Sequence, residues 1–248
     1  MPPVERVTPV ADMAACVRDA DYVVEAILED MPLKQKTFAE IEKHVRPDTI
    51  LASNTSVMPI TEIMQGLKHR ERALGTHWWN PPFLVPLVEV IGTQWTSQAA
   101  IDFTMKLHAD AGKEPAHVKK DVPGFIGNRL QHALWREAVS LVERGICDAE
   151  TVDRVIKAAF GRRLAVLGPL ENADLVGTDL TLAIHKTVLP DIEHRPGPSP
   201  YLERLVAEGK LGFKSGEGFR KWSAEEQAAL RAKVLQHLKK ARENDAKR

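Results

Sequence analysis

The sequence predicts an α/β protein in two parts, a parallel sheet with flanking helices and then an all-helical segment. Three observations predict it. Short apolar runs (DYVVEAI, TILAS, ALGTHWW, LVEVI, PAHVK) punctuate the first half, and their length and β-branched content read as strands. Stretches of helical spacing lie among them, an alternation that builds parallel sheets. After Asp121–Pro123 no convincing strand remains, and apolar residues recur at helical spacing. That switch places a domain boundary near Lys120, with domains of residues 1–120 and 121–248.

In chain order, the first expected elements are a short strand near Glu5–Thr8, a helix near Val10–Arg18 and a strand at Asp21–Ile27. The next helix starts near Pro32, a position where the missing proline N–H costs nothing, and carries Leu33, Phe38 and Ile41 between charged residues. TILAS then reads as a buried strand. A helix over about Ser97–Ala111 is stopped by Gly112. In the second part, Gly124–Arg144 shows Ile126, Leu130, Leu134, Ala138, Leu141 and Val142 on one helical stripe, ended by Gly145. Asp148 caps a helix bearing Val152, Val155, Ile156 and Ala159. Further helices are expected near Thr178–Thr187 and Tyr201–Ala207. Ser223 and Glu226 form a capping box for the last helix, whose stripe of Leu230, Val234 and Leu238 runs into the charged tail KKARENDAKR, expected to be a solvated, fraying end.

With 248 residues the chain can bury a substantial core. Lys+Arg and Asp+Glu each number 34, so the formal net charge is zero, which disfavours a nucleic-acid partner. Cys16 and Cys147 are far apart and form no C-x-x-C, as expected of a reduced, cytoplasmic protein. No apolar stretch approaches the roughly 20 residues of a membrane span, and MPPVERVTP lacks the apolar core of a signal peptide.

Candidate chemistry gathers in two segments, LASNTS (51–56) and ALGTHWWNPPFLVPLVEVI (73–91). His77 ends one apolar strand, and Glu89 interrupts the next. A histidine moves protons near neutral pH, and a carboxylate can hold its ring in one tautomer. A lone histidine before an apolar run is also commonly structural, but a carboxylate on a buried strand is costly unless paired, and His77 is the obvious partner. Asn54 and Ser56 follow TILAS, at the carboxyl end of a strand, where ligands bind in open α/β sheets. Trp78 and Trp79 read as core packing.

Four blocks, VVEAILEDMPLKQKTFAEI (23–41), ILASNTS (50–56), GTHWWNPPFLVPLVEV (75–90) and KKDVPGFIGNRL (119–130), together resemble the 3-hydroxyacyl-CoA dehydrogenase family in order and spacing, over roughly Val4 to Trp222. The resemblance implies a Rossmann-like domain joined to an all-α domain that pairs two subunits, hence a homodimer. It also implies NAD as cofactor, reversible oxidation of a secondary alcohol such as a 3-hydroxyacyl group, and a place in fatty acid metabolism. It makes His77 the general acid/base, Glu89 its orienting partner, and Ser56 and Asn128 hydrogen-bond partners of the substrate oxygen. Glu29, Lys34 and Asn54 fall where the family contacts the ribose and nicotinamide of the cofactor.

Two departures qualify this. No G-x-G-x-x-G occurs in the sequence; relative to the family, the first βαβ unit with its pyrophosphate-binding turn is absent. The chain as given is therefore expected to bind NAD weakly, and a truncated, inactive or structural homologue is one alternative. Second, RLAVLGPLE (163–171), Pro86 and the HW-x-NPP form resemble relatives acting on small free hydroxy acids, the gulonate dehydrogenases related to lambda-crystallin and the dehydrogenases of pyridine carboxylates. On that alternative the substrate is a hydroxy acid and not an acyl-CoA, and Arg163 clamps its carboxylate. Arg162 and Arg163 solvating a loop is the plainer reading.

Overall fold

A computed structural model describes residues 4–245. Its sheet has five strands in the order β1 (Tyr22–Glu25), β2 (Ile50–Ser53), β3 (Ala73–Trp78), β4 (Leu87–Gly92) and β5 (Glu114–Val118). Neighbours run parallel except β3 and β4, which are antiparallel. The exception follows from the connection: residues 79–86 make a loop too short for the crossover that a parallel pair requires. That one reversal sets His77 directly opposite Glu89 in the ladder.

The alternation of strand side chains divides the core into two layers. On one face Leu51, Ala73 and Ile91 pack with Phe38 and Ile41 of α2 (Met31–Ile41), with Ile60, Ile63 and Met64 of α3 (Ile60–Met64), and with Phe125. On the other, Ile50, Ala52, Leu74, Val88 and Val90 meet Ala100 and Ile101 of α4 (Gln98–Asp110). Asp30 and Ser97 cap α2 and α4 through their side chains, each satisfying an amide that the helix leaves unpaired. His77 shares the face of Ala73, so it looks toward Phe125 and away from α4.

Some expectations change. Residues Val4–Arg6 form a 3-10 turn where the sequence suggests a strand near Glu5–Thr8; β1 is the outermost strand and nothing pairs with its free edge among the described residues. The helix near Val10–Arg18 shortens to α1 (Met13–Val17), started by Asp12. Helix α3 has no counterpart among the expected elements, because ITEIM is too short to show periodicity. In the second half follow α5 (Gly127–Glu143), α6 (Ala149–Ala158), α7 (Pro169–Val176), α8 (Thr178–Val188), α9 (Pro200–Ala207) and α10 (Ala224–Asp245). The capping box holds: Ser223 Oγ accepts from Glu226 N at 3.1 Å, and Ser223 N donates to Glu226 at 2.8 Å.

The chain forms two compact units. One comprises the chain up to Leu130 and again from Leu238; the other runs from Gln131 to His237. The tail is solvated over most of its described length, as expected, but it does not fray there: it is helical to Asp245 and belongs with the first unit. Its last residues, 246–248, lie outside the described residues. In the second unit only Ser140 and Leu205 are buried among the described residues, and Leu170 and Leu175 are 79% and 73% exposed.

Candidate active site

The His77 side chain hangs from the end of β3, and its Nδ1 lies 2.8 Å from Glu89 Oε2, both residues being buried. Because an ionised carboxylate only accepts, the ring donates from Nδ1. Nε2 is left as the acceptor in the neutral ring and takes no hydrogen bond among the described residues. The pair is the arrangement expected of a proton-transfer group with an orienting partner.

Glu89 does more than hold His77. Its Oε1 accepts the backbone amides of Ile126 at 2.9 Å and Gly127 at 3.0 Å, and its Oε2 also accepts Trp79 Nε1 at 3.3 Å. Burial by itself pushes the carboxyl up, but the hydrogen bonds from His77, Gly127, Ile126 and Trp79 outweigh it and hold Glu89 below the usual carboxylate range. Two residues aim those amides. Gly124 and Phe125 both have positive φ, 73° and 52°, a left-handed turn that a bulky side chain rarely adopts. Phe125 is held there by complete burial beside the His77 ring, 5.6 Å between centroids.

Trp79 belongs to the site as well, which corrects its assignment to core packing. Its ring lies 5.4 Å from that of His77 and rests on Gly127, where a Cβ would collide with the indole Cζ2. Only glycine lets the start of α5 approach so closely. Trp78, by contrast, does pack, edge-on to His108 across the α4 face.

The loop after β2 is braced from beneath. Glu25, buried at the end of β1, accepts Lys34 Nζ at 2.6 Å, Ile27 N at 2.7 Å and Ser53 Oγ at 2.7 Å. Lys34 is buried too, with Ile27 O at 3.3 Å and Glu29 at 3.8 Å. Glu29 binds Thr55 Oγ1 at 2.7 Å and Ser56 N at 2.8 Å, while its side chain stays 42% exposed. Asn54 Oδ1 accepts Trp78 N at 3.2 Å, tying the loop to β3. Asn128, in the first turn of α5, donates to Ser56 O at 2.8 Å. The structure therefore brings Ser56 and Asn128 together, and Glu29 and Lys34 together, while the Asn54 side chain turns to β3. Sequence reasoning misses Glu25, although its place within an apolar run is the same signal that Glu89 gives. Arg163 lies in the second unit, exposed at the end of a 3-10 turn, Phe160–Arg162.

Comparison with known proteins now decides the class. The family described as 3-hydroxyacyl-CoA dehydrogenase, NAD binding domain, matches residues 2–122, and its C-terminal domain matches residues 124–222. The chain belongs to the 3-hydroxyacyl-CoA dehydrogenase family. It is thereby an NAD-dependent oxidoreductase acting on a CH–OH group. The chain is 36% identical to the 5-formyl-3-hydroxy-2-methylpyridine 4-carboxylate 5-dehydrogenase of Mesorhizobium japonicum, over 92% of this chain and 74% of that one. It is 40% identical to the mitochondrial hydroxyacyl-coenzyme A dehydrogenase of Homo sapiens, over 85% and 67%. The crystal structure of a 5-formyl-3-hydroxy-2-methylpyridine 4-carboxylic acid 5-dehydrogenase, an NAD+-dependent dismutase, superimposes with a TM-score of 0.89 at 36% identity, covering 93% of this chain and 75% of that one.

The residues fit the ribose–nicotinamide end of the dinucleotide. At the carboxyl ends of β1 and β2 the half-exposed Glu29 carboxylate, the Asn54 amide nitrogen and the exposed Ser56 hydroxyl offer acceptors and donors not used up among the described residues. No described helix is long and apolar enough to cross a membrane.

Proposed function

We propose that this family member oxidises the hydroxyl of a 3-hydroxyacyl-CoA reversibly, with His77 as the general acid/base. The observation that carries the reading is the 2.8 Å bond from His77 Nδ1 to Glu89, which leaves Nε2 as a free acceptor. Bound NAD supplies the hydride acceptor. In the oxidative direction His77 Nε2 takes the hydroxyl proton; in the reverse direction it returns it. The Glu89 carboxylate stabilises the imidazolium in between. Ser56 Oγ and the second hydrogen of the Asn128 amide hold the reacting oxygen. Glu29 and Asn54 contact the cofactor, and Lys34 keeps Glu25 and Glu29 in place beneath them.

A second reading has a specific observation behind it. The TM-score of 0.89 is to a relative whose name is that of a pyridine carboxylate enzyme, and this chain carries Pro86 and Arg163. On that reading the substrate is a small hydroxy acid and Arg163 pairs with its carboxylate. The two share one mechanism. Following NADH formation with a 3-hydroxyacyl-CoA and with a panel of small hydroxy acids separates them, and turnover of neither sinks the dehydrogenase reading.

Residues 1–120 carry the cofactor site in this proposal, and residues 121–248 pair two subunits. The exposed leucines of α7 and their neighbours support a homodimer. Free Cys16 and Cys147 support a cytoplasmic setting, and an acyl-CoA substrate would place the reaction in fatty acid metabolism.

A further inference from the structure

The loop of residues 79–86 joins the strand of His77 to the strand of Glu89, and its own hydrogen bonds hold it only in part. Pro81, Pro82 and Pro86 contribute no amide hydrogen, and the amides of Leu84 and Val85 both turn to Pro81 O, each at 3.0 Å. The carbonyls of Pro82, Phe83 and Val85 have to find partners elsewhere. Two cations provide them. Lys113, before β5, donates to Pro82 O and, at 3.1 Å, to Val85 O, with its ammonium 4.8 Å from the centre of the Trp78 ring. Arg242, near the end of α10, donates to Phe83 O at 2.8 Å.

We propose that Arg242 is a positioning residue for the His77–Glu89 pair, acting with Lys113 as a two-cation clamp on the loop between them. The link to the pair is Trp79, which opens the loop and donates to Glu89 Oε2 at 3.3 Å. Slack in the loop reaches the pair through this side chain and through the ends of β3 and β4. The two cations are close enough that burial first, and then the charge of Arg242, hold the Lys113 ammonium below the usual lysine range. Bringing like charges together is unfavourable, and the loop carbonyls, Pro82 O and Val85 O for Lys113 and Phe83 O for Arg242, are what each gains. Helix α10 starts at Ala224, beyond the family's match, which ends at residue 222. The clamp's second jaw thus lies outside the matched segment.

This proposal rests on the dehydrogenase reading for its consequence in turnover but not for its geometry, so the test has two readouts. In the full chain, Arg242→Ala is expected to speed hydrogen exchange at the Leu84 and Val85 amides. It should lower kcat about 5-fold, as loss of one exposed charge-assisted bond allows, with KM for substrate and for NAD unchanged. Arg242→Lys should restore both readouts. Unchanged exchange in Arg242→Ala overturns the clamp. Faster exchange with unchanged kcat, in a wild-type protein that turns over, overturns the positioning role. A wild-type protein inactive on every alcohol tried would sink the dehydrogenase reading instead, and the exchange rates would still decide the clamp.

Discussion

Glu89 caps the helix that begins at Gly127: its Oε1 accepts the Gly127 amide at 3.0 Å while its Oε2 holds His77 at 2.8 Å. One carboxylate thus fixes the ring of His77 and the start of α5, where an anion is favoured by the unpaired amides and the helix dipole. Asn128, one residue into α5, is positioned by the same carboxylate that orients His77.

Replacing Glu89 should therefore damage chemistry and stability together. Glu89→Gln is expected to lower kcat by roughly 10²–10⁴-fold, because the imidazolium loses its counter-charge and the ring its tautomer. The pH dependence has a definite sign. The folded carboxyl lies below the usual range, so its contribution is fully present above the unfolded pKa and is lost as pH falls through the folded value. Urea titrations at falling pH should show the stability gap between wild type and Glu89→Gln narrowing below about pH 4. A gap that stays constant into strong acid would contradict the assignment.

His77→Gln should reduce kcat by roughly 10²–10⁴-fold for whichever substrate is used, with little change in KM, since proton transfer is lost in the transition state. Steady-state kinetics check this directly. Full activity in the variant would end the mechanism.

Arg163→Met separates the two substrate readings. If Arg163 pairs with a carboxylate, KM for a small hydroxy acid should rise roughly tenfold or more. The thioester end of an acyl-CoA carries no carboxylate, so its KM should not move. Equal KM values for both substrates in the variant and wild type would remove the carboxylate clamp and leave the dehydrogenase.

Gly127→Ala forces a methyl into the Trp79 indole. A cost of about 1–3 kcal/mol is expected from such overpacking, together with a fall in kcat as Trp79 leaves Glu89. Adding Trp79→Phe should recover much of the stability, because the six-membered ring of the indole is removed. Denaturation of the two single variants and the double variant gives the coupling; additive losses would show that Trp79 is not what Gly127 accommodates.

Lys34→Met leaves Glu25 buried without its partner at 2.6 Å. Breaking such a pair costs about 3–5 kcal/mol, whereas removing both charges often costs far less. Glu25→Gln with Lys34→Met should therefore be more stable than Lys34→Met alone in chemical denaturation.

The part of this site that can be read from the sequence is the part that breaks a pattern. Glu89 stands out because a charge in an apolar strand demands a partner, and Asp148 and Ser223 announce helix starts by residue type alone. What stays hidden depends on contacts distant in sequence. The role of Trp79 needs Gly127 at the start of α5, and the docking of Arg242 needs a carbonyl at Phe83. Neither leaves a periodic or compositional trace. Helix α3 escapes for a different reason: a single turn and a half holds too few residues to show a stripe.

The pairing of His77 opposite Glu89 also constrains how the sheet can assemble. Between β3 and β4 a slip of one residue would turn Glu89 toward the α4 face, among Leu74, Val88 and Val90, away from His77 and from the amides of Ile126 and Gly127 that it binds. A misaligned hairpin would bury the carboxylate away from the partners that it has in the aligned ladder, a higher-energy state than the aligned one. The His77–Glu89 pair thus also acts as a proofreading device for folding: a chain that closes this ladder out of step is disfavoured by the same carboxylate that, in the proposed mechanism, orients His77.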